Sequence, residues 1–447
     1  MRNGEMHQNL PLMKSEIPMS ILIKKAQILT QDDSQTRFFG DIYIEDNIIS
    51  DISKKDLSIE ADHVIDGKDK LVIPGLINTH THVPMTILRG YGDDMMLQEW
   101  LEKRIWPVEA RLSKGSVIAA TKLAFLEMIS SGTTMFLDMY FFEDSIANVA
   151  TKMGIRAALG FAFIDHGTPE YTFDELFPAC HRFIKDYHDD ELITPVLAPH
   201  GVYTCGPETL GKIKDVSDRY DVLTHIHCSE TRDEVYDVEE RYGKRPVDQL
   251  IETGLLNDKM ILAHCGWITK QEVSSIASAH AAVSHCPVSN MKIATGGYAP
   301  VPEMLDAGVS VSLGTDGAAS NNSLDMFDTM KFTALVHKQH RWDPKIMDAQ
   351  TVFDMATVHG ASALHMQDKI GSIEVGKKAD IVLLDMKKPH LTPCHDPVSH
   401  LVYAAKGSDV CTTIINGRLL YHDLCFIDID VDKILTEASV AAKALTN

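Results

Sequence analysis

Short apolar runs recur along the middle of the chain, at residues 71–77, 133–138, 156–161, 193–198, 222–227, 260–264, 282–286 and 309–316. Amphipathic stretches of helical period lie between them, such as 115–131, 207–218 and 270–279. Strand–helix alternation implies a parallel sheet, because parallel neighbours are joined by crossovers. Eight repeats predict an α/β fold of the TIM-like (β/α)8 barrel type, with an open doubly wound sheet as the competing arrangement. The two ends of the chain read differently. Residues 20–30 are apolar, 41–52 alternate around Ile42, Ile44, Ile48 and Ile52, and 379–385 and 410–421 look like matching strands. Together they predict a composite β-sandwich domain built from 20–73 and 371–430, around a barrel domain of 74–370. Residues 1–19, polar and proline-broken, read as a flexible arm, and 431–447 as a C-terminal helical tail.

The polar chemistry falls at the ends of the runs. His80 and His82 follow the first, His200 follows the fourth, His227 ends the fifth, His264 the sixth and Asp316 the eighth. Barrel active sites lie at the C-terminal ends of the strands, so this distribution favours the barrel over the open sheet.

His80 and His82 are two residues apart, and in a strand such residues share a face and can reach one ion. With His227 and Asp316 they make three imidazoles and a carboxylate, a set suited to Zn²⁺, with Fe²⁺ as the alternative. An ion there activates water near neutral pH. His225 shares the face of His227 one layer deeper and reads as a hydrogen-bonded core histidine outside the metal set. Glu230, three residues past His227, is placed to shuttle a proton between water and a substrate nitrogen; without its neighbours it reads rather as a solvated loop or helix-start charge. His264 closes an apolar run, in register with the other groups, and reads as a residue that orients the attacking water.

Composition narrows the partners. Hydrophobic residues make up 45% and charged residues 23%, ordinary for a globular protein. The formal charge of −21 argues against nucleic acid or an anionic membrane as the main partner and leaves a small molecule. Eight cysteines without a Cys-x-x-Cys pair fit reduced thiols in a cytoplasmic enzyme. No run is long enough to span a membrane. No Gly-x-Ser-x-Gly elbow, phosphate-binding loop or His-x-Glu…Pro-Cys-x-x-Cys signature is present. A homo-oligomer is compatible with the sequence.

The segments Pro74-Gly-Leu-Ile-Asn-Thr-His80-Thr-His82, His225-Ile-His-Cys-Ser-Glu230, Leu262-Ala-His264, Ser284-His-Cys-Pro-Val-Ser-Asn290, Ser312-Leu-Gly-Thr-Asp316 and Gly371-Ser-Ile-Glu-Val-Gly-Lys-Lys-Ala-Asp380 occur in one order. In that order they resemble the amidohydrolase superfamily. The fourth run ends in Pro199-His200 with no Lys, so the chain resembles the mononuclear branch, which holds ring deaminases and triazine hydrolases. Leu88-Arg-Gly-Tyr-Gly-Asp-Asp94, Trp106-Pro-Val-Glu-Ala-Arg-Leu112, Ala198-Pro-His-Gly-Val-Tyr-Thr204 and Gly314-Thr-Asp-Gly-Ala-Ala-Ser-Asn-Asn322 are similar to the 5′-methylthioadenosine/S-adenosylhomocysteine deaminases.

That resemblance implies deamination of an adenosine-type nucleoside: 5′-methylthioadenosine, adenosine, or S-adenosylhomocysteine. Glu109 would accept hydrogen bonds from the ribose hydroxyls, His200 would contact the purine ring and Ser320 its N7. Glu230 would protonate N1, with His264 and Asp316 managing the remaining protons. Trp100 and Leu88 would supply apolar walls. The rival within the superfamily acts on guanine, a pterin or a chlorinated triazine, and Glu109 discriminates, since a ribose contact is useless to a free base. A catalytically silent scaffold would have disrupted ligands, and all six site groups are intact. Users of S-adenosylhomocysteine place an Arg before the fourth strand. Here 187–195 reads Tyr-His-Asp-Asp-Glu-Leu-Ile-Thr-Pro, whose acids would repel the carboxylate.

Overall fold

The computed structural model describes residues 20–446; the expected arm at 1–19 lies outside the described residues. Eight parallel strands stand side by side in chain order: Leu76–Thr81, Thr133–Tyr140, Arg156–Phe163, Ile193–Pro199, Thr224–Cys228, Met260–His264, Ala282–His285 and Val311–Leu313. Side chains and one loop join the first to the last. Asn78 Nδ2 donates to Thr315 Oγ1 at 2.8 Å, Thr79 Oγ1 to the Leu313 carbonyl at 3.0 Å, and the Asp316 N–H to the His80 carbonyl at 2.9 Å. The sheet is therefore a nearly closed barrel, with helices such as Lys114–Ser130 and Pro207–Tyr220 between strands.

Two apolar runs are cut differently from the pattern. Run 71–77 is two strands: Lys70–Pro74 belongs to the second sheet, and the barrel begins at Leu76. Gly75 sits at the crossing, where a Cβ would lie 1.9 Å from Thr134 Oγ1, so only glycine lets the chain pass. Both halves are fully buried, which is why periodicity fuses them. Run 309–316 holds only the strand Val311–Leu313, and Asp316 stands beyond it with φ 62°.

The second sheet has nine strands. The front of the chain gives Ser20–Leu29, Arg37–Glu45, Ile48–Ser53, His63–Asp66 and Lys70–Pro74; the back gives Ile381–Asp385, Val410–Ile415, Arg418–His422 and Cys425–Phe426. Lys70–Pro74 pairs antiparallel with Ile381–Asp385 and stitches the two ends together. The strands form one continuous mixed sheet, not two separately bonded layers, around a core that includes Ile21, Ile42, Ile44, Val72, Ile381 and Ile414. A buried ion pair fixes it to the barrel: Arg156 Nε, at the base of the third barrel strand, lies 2.9 Å from Asp380 Oδ2. Removing one partner of such a pair strands a charge in the interior.

The tail is the helix Val431–Thr446. Ala438 and Leu445 pack into the apolar cluster that also holds Met85, Leu88 and Trp100, so the end of the chain buttresses the segment after the first barrel strand. Among the described residues no helix is long and apolar enough to cross a membrane. All eight cysteines are unpaired.

Candidate active site

Strand ends bring His80, His82, His227 and Asp316 to one point. His82 Nε2 lies 3.3 Å from His227 Nε2 and 3.1 Å from Asp316 Oδ1, and His80 Nε2 lies 3.6 Å from the same oxygen. Four ligands at about 2.0–2.2 Å from one ion stand roughly 3.3–3.6 Å apart in a tetrahedral set. The hydrogen bonds behind the rings fix which nitrogen is free. His82 Nδ1 is 2.6 Å from the Met139 carbonyl and His227 Nδ1 is 2.6 Å from the His200 carbonyl. A carbonyl only accepts, so each Nδ1 carries a proton and each Nε2 is the nitrogen turned toward the cluster.

His80 is oriented through His225. His225 Nδ1 faces the Ile261 carbonyl at 3.0 Å and must donate. Burial holds His225 well below the usual imidazole range, so it is neutral and its Nε2 accepts. His80 Nδ1, 2.7 Å away, is then the donor, which leaves His80 Nε2 buried with no protein partner. That orphan nitrogen, aimed at the Asp316 carboxylate, is what a metal would satisfy. The deeper layer expected for His225 is where it lies.

The charges agree. Burial raises and the imidazoles lower the Asp316 carboxyl, with a net position well below its ordinary range. Burial opposes a charge on His82, yet the Asp316 carboxylate lifts it to about 9. Without an ion the cluster recruits a proton, so it calls for positive charge. Asp316 Oδ2 accepts from Ser289 Oγ at 2.6 Å and Ser320 Oγ at 3.0 Å, which turns Oδ1 toward the imidazoles.

Glu230 and His264 face this cluster. His264 Nδ1 lies 3.1 Å from Asn290 Nδ2, an amide donor, so His264 carries its proton on Nε2. This is the opposite tautomer to the other three, and its Nε2 lies 3.8 Å from Glu230 Oε2. Burial, with a smaller contribution from Asp316, raises the Glu230 carboxyl above its ordinary range. Glu234 holds the Glu230 turn, its two oxygens accepting the Ser229 and Glu230 N–H groups at 2.8 and 2.7 Å. Ser229, His264 and Asp316 all have left-handed backbone, with φ of 51°, 71° and 62°. Such conformations cost about 1–3 kcal/mol each and persist where packing and hydrogen bonds over-determine them.

The remaining expected residues fall around the cluster. Glu109 Oε1 accepts from Tyr140 Oη at 2.7 Å; burial raises this carboxyl, and the Tyr140 bond pulls it back. The Tyr140 ring is 6.1 Å from His82, which puts Glu109 beside the metal ligands. His200, whose ring is 4.9 Å from His227, is held near 4 by burial and is neutral. Ser320 is spent on Asp316 and the Gly317 carbonyl. Trp100 lies in the apolar cluster with Met85, Leu88 and Ala319, one residue from Ser320. No hydrogen bond or ring contact joins it to the histidines.

One expectation is overturned. Asp189, Asp190 and Glu191 precede the fourth barrel strand and so lie at its N-terminal end, opposite His200. Glu191 pairs with Lys378 at 2.6 Å, and Asp190 Oδ1 accepts the Leu192 N–H. These acids cannot repel a group bound among the histidines. The sequence reading also missed Tyr140, because run 133–138 stops two residues short of the strand end. Ser289 and Asn290 were present in a quoted motif with no task. Glu234 carried the only available signal for its role, an acid three residues after the capping Thr231.

The comparisons with known proteins fit this site. The amidohydrolase family model matches residues 71–420. A 5′-deoxyadenosine deaminase of Methanosarcina mazei is 45% identical over 95% of this chain and 98% of its own. A 5-methylthioadenosine/S-adenosylhomocysteine deaminase of Thermococcus onnurineus is 44% identical over 91% of this chain and 95% of its own. Among solved structures, an adenosine deaminase from Xanthomonas campestris with bound zinc superposes with a TM-score of 0.93 at 34% identity, covering 95% of this chain and 98% of that one. The guanine deaminase of E. coli, at 22% identity and a TM-score of 0.78, shares the fold across 91% of this chain and 99% of its own. With a family match that runs through His80, His82, His227 and Asp316 and on to the strands at the back of the second sheet, the chain belongs to the amidohydrolase family.

Proposed function

We propose that the chain is a hydrolytic deaminase of adenosine-type nucleosides, yielding the inosine analogue and ammonia. The observation that carries this reading is the Glu109–Tyr140 pair beside the histidine cluster, a half-buried carboxylate with one oxygen left for a diol. A ribose presents two adjacent hydroxyls to it, and a free base presents none. The names of the Methanosarcina and Thermococcus relatives, deaminases of 5′-deoxyadenosine and of 5-methylthioadenosine/S-adenosylhomocysteine, support the same reading. His80, His82, His227 and Asp316 would hold one ion, with Zn²⁺ favoured over Fe²⁺ by the nitrogen-rich set and by the zinc in the Xanthomonas structure.

When bound, the ion supplies Lewis acidity and makes water a competent nucleophile near neutral pH. The chain does the rest. Glu230, whose carboxyl burial raises above its ordinary range, delivers a proton to purine N1 and draws electron density from C6. His264 donates from Nε2 and orients the attacking water, while ionised Asp316 accepts its proton. The leaving amine is protonated from the same groups and departs as ammonia. Neutral His200 offers a hydrogen bond to the ring without adding charge. The unpaired cysteines suit a reducing, cytoplasmic setting.

The test is product analysis with zinc-loaded protein. Adenosine, 5′-deoxyadenosine and 5′-methylthioadenosine should each release one ammonia with conversion of the adenine to the hypoxanthine chromophore, while guanine and cytosine stay unchanged. Turnover of guanine or a triazine with none of the nucleosides would overturn the proposal.

A further inference from the structure

Asp138 is a buried acid that the proposed deamination does not use. It stands near the end of the second barrel strand, Thr133–Tyr140, and has no exposed surface. Its neighbours fix its direction. Leu137 packs inside the barrel with Ile77 and Ile261, while Phe136 packs outside it with Phe125 and Val83. Asp138 shares the face of Phe136, two residues away, so its side chain lies behind the barrel wall. None of the converging side-chain groups able to hold an ion among the described residues includes it.

Its one hydrogen bond goes to the segment that carries a metal ligand. Asp138 Oδ1 accepts the Val83 N–H at 2.7 Å. Val83 is fully buried and opens the short helix Val83–Leu88, whose N-cap residue is His82. The first N–H groups of a helix have no partner within it, and the His82 side chain does not serve as a cap. The next residue along the strand, Met139, takes His82 Nδ1 on its carbonyl at 2.6 Å. Two successive strand residues thus grip His82 twice, Met139 by the ring and Asp138 by the peptide that follows it.

We infer that Asp138 is a positioning residue for His82, and that it sets how tightly the ligand cluster holds its ion through the Val83 N–H. The inference rests on the ligand set assigned above and not on the identity of the substrate. A buried peptide N–H left without an acceptor is costly, so without Asp138 the His82–Val83 peptide would turn toward another one. That turn changes the backbone of His82 and swings its ring off the Met139 carbonyl. His82 Nε2, now 3.1 Å from Asp316 Oδ1 and 3.3 Å from His227 Nε2, would leave its place in the cluster. The acceptor matters here, not the charge. Asp138 Oδ2 is buried with no partner, and so is Oε2 of Glu143, an acid near enough for Asp138 to raise its carboxyl. An amide at 138 keeps the Oδ1 acceptor and brings a donor to a place where two buried oxygens have none.

The experiment measures the zinc dissociation constant of the parent chain, Asp138→Asn and Asp138→Ala by competition with a chromogenic chelator, with the melting temperature of each recorded beside it. Asp138→Ala should bind zinc about 10- to 100-fold more weakly, and Asp138→Asn within about threefold of the parent. Should Asp138→Ala fold too poorly to measure, Asp138→Leu takes its place, since it fills the volume and lacks the acceptor. A lowered melting temperature with zinc affinity within about threefold of the parent would make Asp138 merely structural and overturn the inference. So would an Asn variant that loses as much zinc as the Ala variant, because the charge would then be the cause. If the parent itself holds no zinc, the ligand set falls and the inference with it.

Discussion

Glu230→Gln is expected to lower kcat/KM by about 10²–10⁴-fold while metal content and melting behaviour stay those of the parent chain. The substitution keeps the shape of the side chain and removes its exchangeable acidic proton. Glu230 lies beside His264 and Asp316, facing His264 Nε2 at 3.8 Å, and burial raises it; in the proposed reaction its contribution is a proton at N1. Without that proton the ring keeps its electron density and C6 stays a poor electrophile. The backbone of the turn should survive, because Glu234 holds the N–H groups of Ser229 and Glu230 whatever side chain follows. The check is steady-state kinetics on 5′-methylthioadenosine together with elemental analysis. Near-normal turnover would return Glu230 to the status of a loop charge.

The second large effect concerns the ion itself. The parent chain should carry about one divalent metal, and His80→Ala/His82→Ala should carry almost none, with activity lost. Removing both rings leaves His227 and Asp316, too few ligands to hold zinc against water. It also strands the His225 Nε2 acceptor, now without the His80 donor 2.7 Å away. Loss of a ligand that binds only the native state lowers apparent stability, so added zinc should raise the melting temperature of the parent and leave the double variant unmoved. Two tightly held metals in the parent, or full metal content in the variant, would contradict the assigned ligand set.

The barrel and the gathering of His80, His82, His227 and Asp316 at its mouth were legible because two regularities coincide. Strand and helix patterns repeat eight times, and the polar residues that interrupt the apolar runs fall at the ends where such barrels keep their chemistry. His225 was separable from His227 by depth: two residues earlier on the same strand it shares the face and lies one layer below the strand end. What stayed hidden depends on contacts between distant segments. Tyr140 meets Glu109 across 31 residues, and Asn290 meets His264 across 26. No local period encodes either meeting. The two-strand run at Gly75 was hidden because a strand buried on both faces has no alternation to lose.

The misplaced acids teach something different. Asp189–Glu191 come before a barrel strand, and residues there lie at the end opposite the site; the topology already expected from the sequence was enough to exclude them.

The measurement that tests the account most directly is the ratio of kcat/KM for 5′-deoxyadenosine to that for free adenine. Charge-assisted hydrogen bonds from a ribose diol to Glu109 at about 1.5–3 kcal/mol each should favour the nucleoside by roughly 10²-fold or more. Equal or better use of adenine would contradict the account, because Glu109 and Tyr140 would then hold nothing that the reaction needs.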